Sequence, residues 1–199
     1  MNDSTAGLSE AINVAASVKR SLQIVGGASK LFYGRQPEGE VLAVGDHTGI
    51  IAYEPTELVV TVRAGTRLSE LAEALRRERQ MLPFEPPLFG SRTTIGGTVA
   101  CGLSGPSRPY RGAVRDFVLG VGLLNGRGER LRFGGQVIKN VAGYDVSRLM
   151  TGAMGTLGVI LDVSIKVHPL PEIEKTLYYE LTEQQALKKM NEVSGRPLP

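Results

Sequence analysis

The chain has 199 residues, 42% of them apolar and 22% charged, and a formal net charge of +3. These values are typical of a soluble globular protein that buries a core, and the glycines follow no collagen period and form no low-complexity tract. Binding to nucleic acid is disfavoured, because the basic residues are scattered and do not alternate with aromatic residues. The single cysteine, Cys101, and two widely separated histidines, His47 and His168, argue against an intrachain disulfide and against a zinc site.

The sequence has no pattern typical of secretion or membrane insertion. Residues 1–9 are polar and lack the apolar core of a signal peptide. No apolar run approaches the roughly 20 residues that a membrane helix requires. Together with the single cysteine, these patterns predict a cytoplasmic protein with no direct membrane insertion.

The first half of the chain alternates helical and strand-like apolar patterns. Helical spacing predicts two amphipathic helices, and short apolar runs between turn residues predict four strands. The helices cover residues 8–22, with Ser9 as a candidate N-cap, and residues 68–79, with Ser69 as a candidate N-cap. The strands cover residues 22–25, 41–44, 50–53 and 58–62.

The second half contains a predicted hairpin, a short helix and a long strand. Two apolar runs flank Asn125-Gly126, a dipeptide that supplies the positive φ angles of tight hairpin turns. The predicted elements are strands 118–124 and 130–133, a short helix over 146–150 before Gly152, and a strand over 157–167.

The character of the chain changes after Pro171. A strand is predicted over 176–181, followed by a helix that Thr182 caps, with Gln185 in the capping-box position. A lone strand and helix cannot bury a core of their own. We therefore expect this region to begin a second domain, and an extension that packs on the main body is the alternative.

Glycine contributes 25 of the 199 residues, or nearly 13%, which is well above its typical share of about 7%. One block, residues 26–30, follows a predicted strand and offers backbone N–H groups that bind a pyrophosphate without side-chain help. A second block, residues 94–105, combines small residues and hydroxyls in a predicted turn, and a third lies at 152–158. The first two loops predict a large, elongated, phosphate-bearing ligand held from two sides.

Several common motifs are absent. Residues 152–158 lack the GxGxxG spacing and precede a strand. Lys30 follows Ser29 without a P-loop frame, and Ser104 lacks the second glycine of a GxSxG elbow. These absences disfavour a Rossmann dinucleotide fold, a nucleotide triphosphatase and a hydrolase.

Several segments, taken in order, resemble the FAD-binding domain of the vanillyl-alcohol-oxidase/PCMH flavoprotein superfamily. They are residues 25–30 (VGGASK), 62–71 (VRAGTRLSEL), 94–100 (TIGGTVA) and 112–120 (GAVRDFVLG). The resemblance is narrowed to the glycolate-oxidase branch of that superfamily by residues 105–109 (GPSRP), 137–145 (VIKNVAGYD) and 155–160 (GTLGVI).

This resemblance implies an α+β, PCMH-type FAD-binding fold of two α+β subdomains with FAD between them. The implied divisions are a first subdomain over residues 1–62, a second over 63–170, and the stub of a C-terminal cap or substrate domain over 171–199.

The resemblance also implies three groups of FAD-binding residues. A pyrophosphate loop is formed by Gly26, Gly27, Ala28, Ser29 and Lys30. A second flavin loop is formed by Thr94, Ile95, Gly96, Gly97, Thr98, Gly102 and Gly105. The adenosine side, or the approach to the isoalloxazine, is lined by Gly158, Val159 and Ile160. No catalytic residue and no metal ligand is identified.

The implied function is that of an FAD-binding subunit of a glycolate-oxidase-type complex. Such a complex oxidises a 2-hydroxy acid, glycolate to glyoxylate, with electron transfer through FAD. The implied partners are a second flavoprotein subunit and an iron–sulfur subunit, through which the chain is held at the inner face of the membrane. Two alternatives stay open: a non-catalytic FAD-binding or assembly module, and a nicotinamide-dependent reductase of the cell-wall-precursor type.

The chain departs from the family at the position of covalent attachment. Many relatives attach FAD through a histidine beside the first Gly-Gly, where this chain has Ala28, so non-covalent FAD is expected. A thioether to Cys101 is the alternative, set against a simple packing role for that residue. We expect Gly27→Val to abolish FAD binding, because a branched side chain blocks amide approach and resists positive φ.

Other functional side chains are ambiguous in the sequence. Lys139, Asn140 and Tyr144 either reach the flavin edge or, for Asn140 with Asp145, cap the next helix. A carboxylate clamp or a catalytic base is not evident. The basic residues Arg108, Arg111 and Arg115 suit such a clamp, flavin phosphate or a partner interface equally well. We therefore expect that this chain alone does not oxidise glycolate.

Overall fold

The computed structural model of the chain describes residues 2–135 and 143–196. In the first half, the elements are α1 (Thr5–Ser17), β1 (Leu22–Val25), β2 (Glu40–Ala43), β3 (Ile50–Glu54), β4 (Val59–Arg63), α2 (Leu68–Arg77), β5 (Gln80–Met81) and α3 (Ile95–Cys101). In the second half, they are α4 (Arg108–Arg111), α5 (Val114–Phe117), β6 (Val118–Leu124), β7 (Arg130–Gly134), α6 (Val146–Met150), β8 (Val159–Lys166), β9 (His168–Pro169) and α7 (Glu183–Ser194). The predicted roles of Lys139 and Asn140 lie outside the described residues.

An antiparallel sheet of five strands forms the centre of the molecule, in the order β3-β4-β8-β6-β7. Its middle strands are rich in β-branched residues, which suit a pleated, buried surface. β8 lies between β4 and β6 and is buried along almost its whole length. The helix α3, which carries the second glycine block, packs against β8 and β4 of this sheet.

Helices pack on this sheet through their apolar faces. Leu8 and Ile12 of α1, and Leu71 and Leu75 of α2, belong to the same buried core as the strands. Their spacing of three to four residues places them on one face of each helix. The short strand β5, which lies between α2 and α3, pairs with β9 and so ties residues 80–81 to the segment that follows the long strand β8.

A second, smaller sheet positions the first glycine block. β1 and β2 pair in parallel, with Leu22 opposite Glu40 and Val25 opposite Ala43. Parallel strands cannot be joined by a tight hairpin, so a long crossover is required. Here residues 26–39 form that crossover, and it is irregular loop rather than helix. The glycine block therefore begins where β1 ends.

The α+β class and most predicted strands are confirmed, but several local details are wrong. Ser9 lies inside α1, which begins after Ser4, and its hydroxyl donates to the Gly128 carbonyl at 2.6 Å. The α2 N-cap is Arg67 rather than Ser69. Residues 176–181, predicted as a strand, are exposed and have no regular structure, whereas the Thr182–Gln185 capping box is confirmed.

The predicted hairpin is present, but its turn works differently from the prediction. Neither Asn125 nor Gly126 has a positive φ; Gly128 does, at +68°. The Asn125 side-chain oxygen instead accepts hydrogen bonds from the backbone N–H groups of Arg127 at 2.9 Å and Glu129 at 3.0 Å. The side chain of Asn125 thus stabilises a longer loop by mimicking a backbone acceptor.

The division at residues 62 and 170 stays a prediction. β1 and β2 form their own sheet, while β3 and β4 join the five-stranded sheet, so the change of sheet falls between residues 43 and 50. Of the residues after 171, the described ones are almost all exposed. Within the described residues, no helix has the length and apolar character needed to cross a bilayer.

Candidate functional site

A cavity of about 510 Å³ opens beside the end of β1. Three segments form its walls: the loop after β1, one face of α3, and the loop that leads into β8. These segments are far apart in sequence, and the two sheets bring them together. The volume lies within the range of small-molecule and cofactor sites, roughly 300–1,000 Å³.

The loop after β1 presents unpaired backbone donors. Within the described part of the chain, the N–H groups of residues 26–31 donate no backbone or side-chain hydrogen bond. Ala28 has a φ of +56°, the left-handed region that non-glycine residues rarely adopt. Alternation of right- and left-handed conformations turns successive N–H groups toward one point, which suits an anion.

Gly27 is required by a close approach of two backbone segments. A Cβ atom at this position would lie 1.6 Å from the carbonyl oxygen of Arg92. Its φ is not among the positive ones, so the predicted conformational reason for a glycine here is wrong. The loop after β1 is thus pressed against residues 90–94, and only a residue without a side chain fits.

The second glycine block forms the helix α3 rather than the predicted turn. Thr94 is its N-cap, and its hydroxyl accepts a hydrogen bond from the Gly97 N–H at 3.2 Å. A Cβ on Gly26 would lie 2.8 Å from that same hydroxyl oxygen, so α3 begins directly against the first loop. Thr93 and Ser29 connect the two segments through their hydroxyls at 3.2 Å.

Small residues let α3 approach β4 and the third segment closely. A Cβ on Gly96 would lie 2.5 Å from the Ala64 side chain. The loop before β8 is tied to α3 by backbone bonds, from Gly152 N–H to Val99 at 3.0 Å and from Met154 N–H to Ala100 at 2.9 Å. These contacts hold the walls of the cavity together.

Ten of the predicted site residues line this cavity: Gly26, Gly27, Ala28, Ser29, Lys30, Thr94, Gly96, Gly97, Gly158 and Ile160. The other five do not. Of these, Ile95, Thr98 and Val159 are buried in the core. Gly102 ends α3 with a φ of +66°, and Gly105 packs against Glu85. Their place in the fold explains these five without a ligand.

Other lining residues were not predicted. Tyr33, Arg35, Gln36 and Pro37 come from the crossover after the glycine block, and Met154 comes from the loop before β8. The crossover has no hydrophobic period and no recognisable motif, so only the parallel pairing of β1 with β2 places it here. Tyr144, a predicted candidate for the flavin edge, is 94% exposed, whereas Asp145 caps α6 as proposed.

The electrostatics of the cavity favour an anion at one end. Burial lowers the pKa of the Lys30 ammonium, and the nearby Cys101 acts in the opposite direction. No carboxylate of the described residues lies within salt-bridge distance of Lys30. A half-buried cation without a partner is costly unless a ligand neutralises it.

The Cys101 side chain is half-buried in the cavity wall. Burial raises the pKa of its thiol, and Lys30 opposes that rise in part. The thiol is therefore protonated at neutral pH and is a weak nucleophile. Among the described residues, no group of three or more His, Cys, Asp or Glu side chains is placed to hold a metal ion.

The geometry fits a dinucleotide of the FAD type. The free amides of residues 26–31 and the unpaired Lys30 suit a pyrophosphate, while the walls are otherwise dominated by apolar and small side chains that suit flat rings. Arg108 and Arg115 do not line this cavity; they lie in a separate cleft. Two of the three arginines considered as a carboxylate clamp are therefore placed elsewhere.

Comparison with known proteins agrees with this assignment. The family model described as FAD binding domain matches residues 2–134. This chain belongs to that family of FAD-binding domains, and its fold is the PCMH-type FAD-binding fold.

Three individual proteins are similar to this chain over most of its length. The chain is 50% identical over 197 residues to glycolate oxidase subunit GlcE of Escherichia coli (strain K12), covering 99% of this chain and 56% of the relative. It is 30% identical over 178 residues to glycolate oxidase subunit GlcD of Bacillus subtilis, covering 87% and 38%. It is 30% identical over 135 residues to a D-lactate dehydrogenase of Anaerostipes hadrus, covering 67% and 28%. The chain thus spans about half, or less, of the length of these relatives.

Proposed function

We propose that the chain is the FAD-binding part of a glycolate-oxidase-type oxidoreductase subunit, and that it binds FAD without a covalent bond. The observation that carries the proposal is the loop of residues 26–31, which lines the cavity with amides that donate to no described acceptor and with the unpaired Lys30. The similarity to a glycolate oxidase subunit supports the choice of reaction class.

Each wall has a distinct task in this proposal. The amides after β1 and the Lys30 ammonium bind the pyrophosphate through charge-assisted hydrogen bonds. Gly96 and Gly97 of α3 leave room for close approach of the cofactor, and the loop with Gly158 closes the opposite side. FAD, when bound, supplies the acceptor for the hydride equivalent released on oxidation of a CH–OH group.

The non-covalent mode is supported by the residues beside the cavity. Ala28 offers no nucleophile, and burial keeps the Cys101 thiol protonated. The test is the visible spectrum of the purified protein before and after acid precipitation. Yellow supernatant and colourless pellet are expected, whereas flavin that stays with the precipitated protein contradicts the non-covalent mode.

We further propose that partner subunits complete the reaction. Among the described residues that line the cavity, none is His, Asp or Glu, the residue types that most often serve as a general base. The titratable side chains of the lining are Lys30, Tyr33, Arg35 and Cys101, and Lys30 is assigned to the pyrophosphate in this proposal. The proposed partners are a second flavoprotein subunit and an iron–sulfur subunit, and the proposed location is the cytoplasm, at the inner face of the membrane through those partners.

The second candidate function is a non-catalytic FAD-binding or assembly module, favoured by the same lack of His, Asp and Glu side chains among the described residues of the cavity lining. Anaerobic mixing of the FAD-loaded chain with glycolate, and separately with NADPH, distinguishes the candidates. No bleaching of the flavin absorbance by either is expected for the chain alone. Rapid bleaching by glycolate makes the chain an autonomous dehydrogenase, and bleaching by NADPH favours the reductase alternative. Bleaching by glycolate only after partner subunits are added excludes a purely structural module.

A further inference from the structure

A second cleft, of about 610 Å³, lies between α4, α5 and α6. It shares no lining residue with the FAD cavity. Its lining is Arg108, Pro109, Gly112, Ala113, Arg115, Asp116 and Arg148. Three arginines from three short helices thus converge on one surface depression, and the proposed FAD chemistry uses none of them.

The charges in this cleft are only partly balanced. Arg148 pairs with Asp145 at 3.3 Å. The Asp116 carboxylate is engaged locally, since it accepts the Ala113 N–H at 2.9 Å. In the described part of the chain, Arg108 and Arg115 have no carboxylate within salt-bridge distance. The cleft therefore has an excess of positive charge that the described residues leave unpaired.

The surroundings of the cleft suit a protein partner. Tyr110 lies on the same short helix as Arg108 and is 46% exposed. Arg111, on that helix as well, is also exposed. Tyrosine and arginine are enriched among the residues that dominate binding energy at protein interfaces. The arginine guanidinium also pairs with carboxylates through two parallel hydrogen bonds.

We propose that this arginine cleft, defined by Arg108, Arg115 and Arg148, docks an acidic polypeptide segment of a partner protein. The concave shape favours a projecting Asp or Glu side chain over a flat membrane surface. The proposal rests on the proposed function for its expectation of partner subunits, although the cleft itself is separate from the FAD cavity.

The test uses a fluorescein-labelled deca-glutamate peptide and the full chain, followed by fluorescence anisotropy. Binding should weaken strongly between about 0.1 M and 1 M salt, since the Debye length falls from about 10 Å to about 3 Å. The double variant Arg108→Glu/Arg115→Glu should bind the peptide at least about tenfold more weakly. The matched control Arg76→Glu/Arg127→Glu changes the net charge equally at exposed positions elsewhere and should bind as the parent does.

The other outcomes have defined meanings. Equal weakening by the two double variants shows that net charge alone drives binding, which overturns the proposal. Tighter binding to phosphatidylserine vesicles or to single-stranded DNA than to the peptide overturns it as well. FAD affinity is measured on the same samples, because loss of peptide binding by the cleft variant with FAD affinity intact supports the cleft. Failure of the parent chain to bind FAD contradicts the proposed function. It does not change the meaning of the peptide result, because the cleft is separate from the FAD cavity.

Discussion

Replacing Gly27 with alanine is the sharpest test of the FAD cavity. The added Cβ would lie 1.6 Å from the Arg92 carbonyl oxygen and 2.6 Å from the Arg92 carbonyl carbon. Both atoms belong to the backbone, so rotation of a side chain cannot relieve the overlap. The loop after β1 and residues 90–94 must separate by roughly 1.5 Å to restore an ordinary non-bonded distance.

The expected effect on FAD binding follows from hydrogen-bond geometry. Donor–acceptor distances of about 2.7–3.2 Å do not tolerate a displacement of this size. Hydrogen bonds to a charged group contribute about 1.5–3 kcal/mol each. Loss of two amide contacts to the pyrophosphate therefore costs about 3–6 kcal/mol, which is roughly a 10²- to 10⁴-fold rise in the Kd for FAD. The free energy of unfolding should fall by only about 1–3 kcal/mol, as for a locally overpacked site.

The assay is isothermal titration of the apoprotein with FAD, with urea unfolding followed by circular dichroism. Gly7→Ala is the matched control, since a Cβ at that helical position would have no atom within 4 Å. That control should gain about 0.5–1 kcal/mol of stability and keep its FAD affinity. A folded Gly27→Ala variant with unchanged FAD affinity would refute the assignment of this loop to the cofactor.

Three further predictions test other parts of the molecule. Lys30→Gln removes the unpaired cation of the cavity and should raise the Kd for FAD by about tenfold in titration calorimetry, while the melting temperature of the apoprotein should rise or stay the same because a desolvated charge is lost. Gly105→Ala places a Cβ 2.0 Å from the Glu85 carbonyl oxygen at a φ of +78°; it should lower stability by about 2–4 kcal/mol in urea unfolding without changing the FAD affinity of the folded protein. Burial lowers the pKa of His47, whose Nδ1 accepts the Ser4 N–H at 3.0 Å, so the unfolded chain binds the proton more tightly. The contribution of His47 to the free energy of unfolding is then fully present above about pH 6.5 and is lost as the pH falls below that value. His47→Asn, which keeps an acceptor but does not titrate, should flatten this dependence in urea unfolding at several pH values.

Strands were predictable from the sequence because their signal is local. The run Val59–Arg63 and the β-branched residues of Val159–Lys166 are buried in the central sheet, as their composition indicates. The exposed segment 176–181 also contains residues that favour strands, Thr and Tyr, but it has no neighbouring strand within the described residues. Strand propensity describes fit to a sheet, and a segment without a partner cannot use it.

The part of the candidate site formed by a glycine-rich loop was predictable, because glycine exposes backbone N–H groups. The part that depends on which strands pair was not predictable. The sequence places residues 26–30 after a strand, and this is where the cavity lies. The contributions of Tyr33 and Arg35 follow only from the parallel pairing of β1 with β2, which brings the crossover back over the cavity. No local pattern distinguishes that crossover from any other irregular loop.

The glycine-rich segments illustrate why residue type alone overestimates a binding site. At Gly105 and Gly27 the missing side chain solves a packing problem, because the backbone of Glu85 or Arg92 occupies the space. A glycine that serves a close approach is needed whether or not a ligand binds. What separates the loop after β1 is the set of amides that no protein acceptor satisfies, beside a lysine that no carboxylate neutralises. Free donors cost stability in the unliganded protein. That cost is recovered when an anion binds to the free donors. The assignment of this cavity to FAD therefore rests on its unpaired amides and lysine, and not on its glycines.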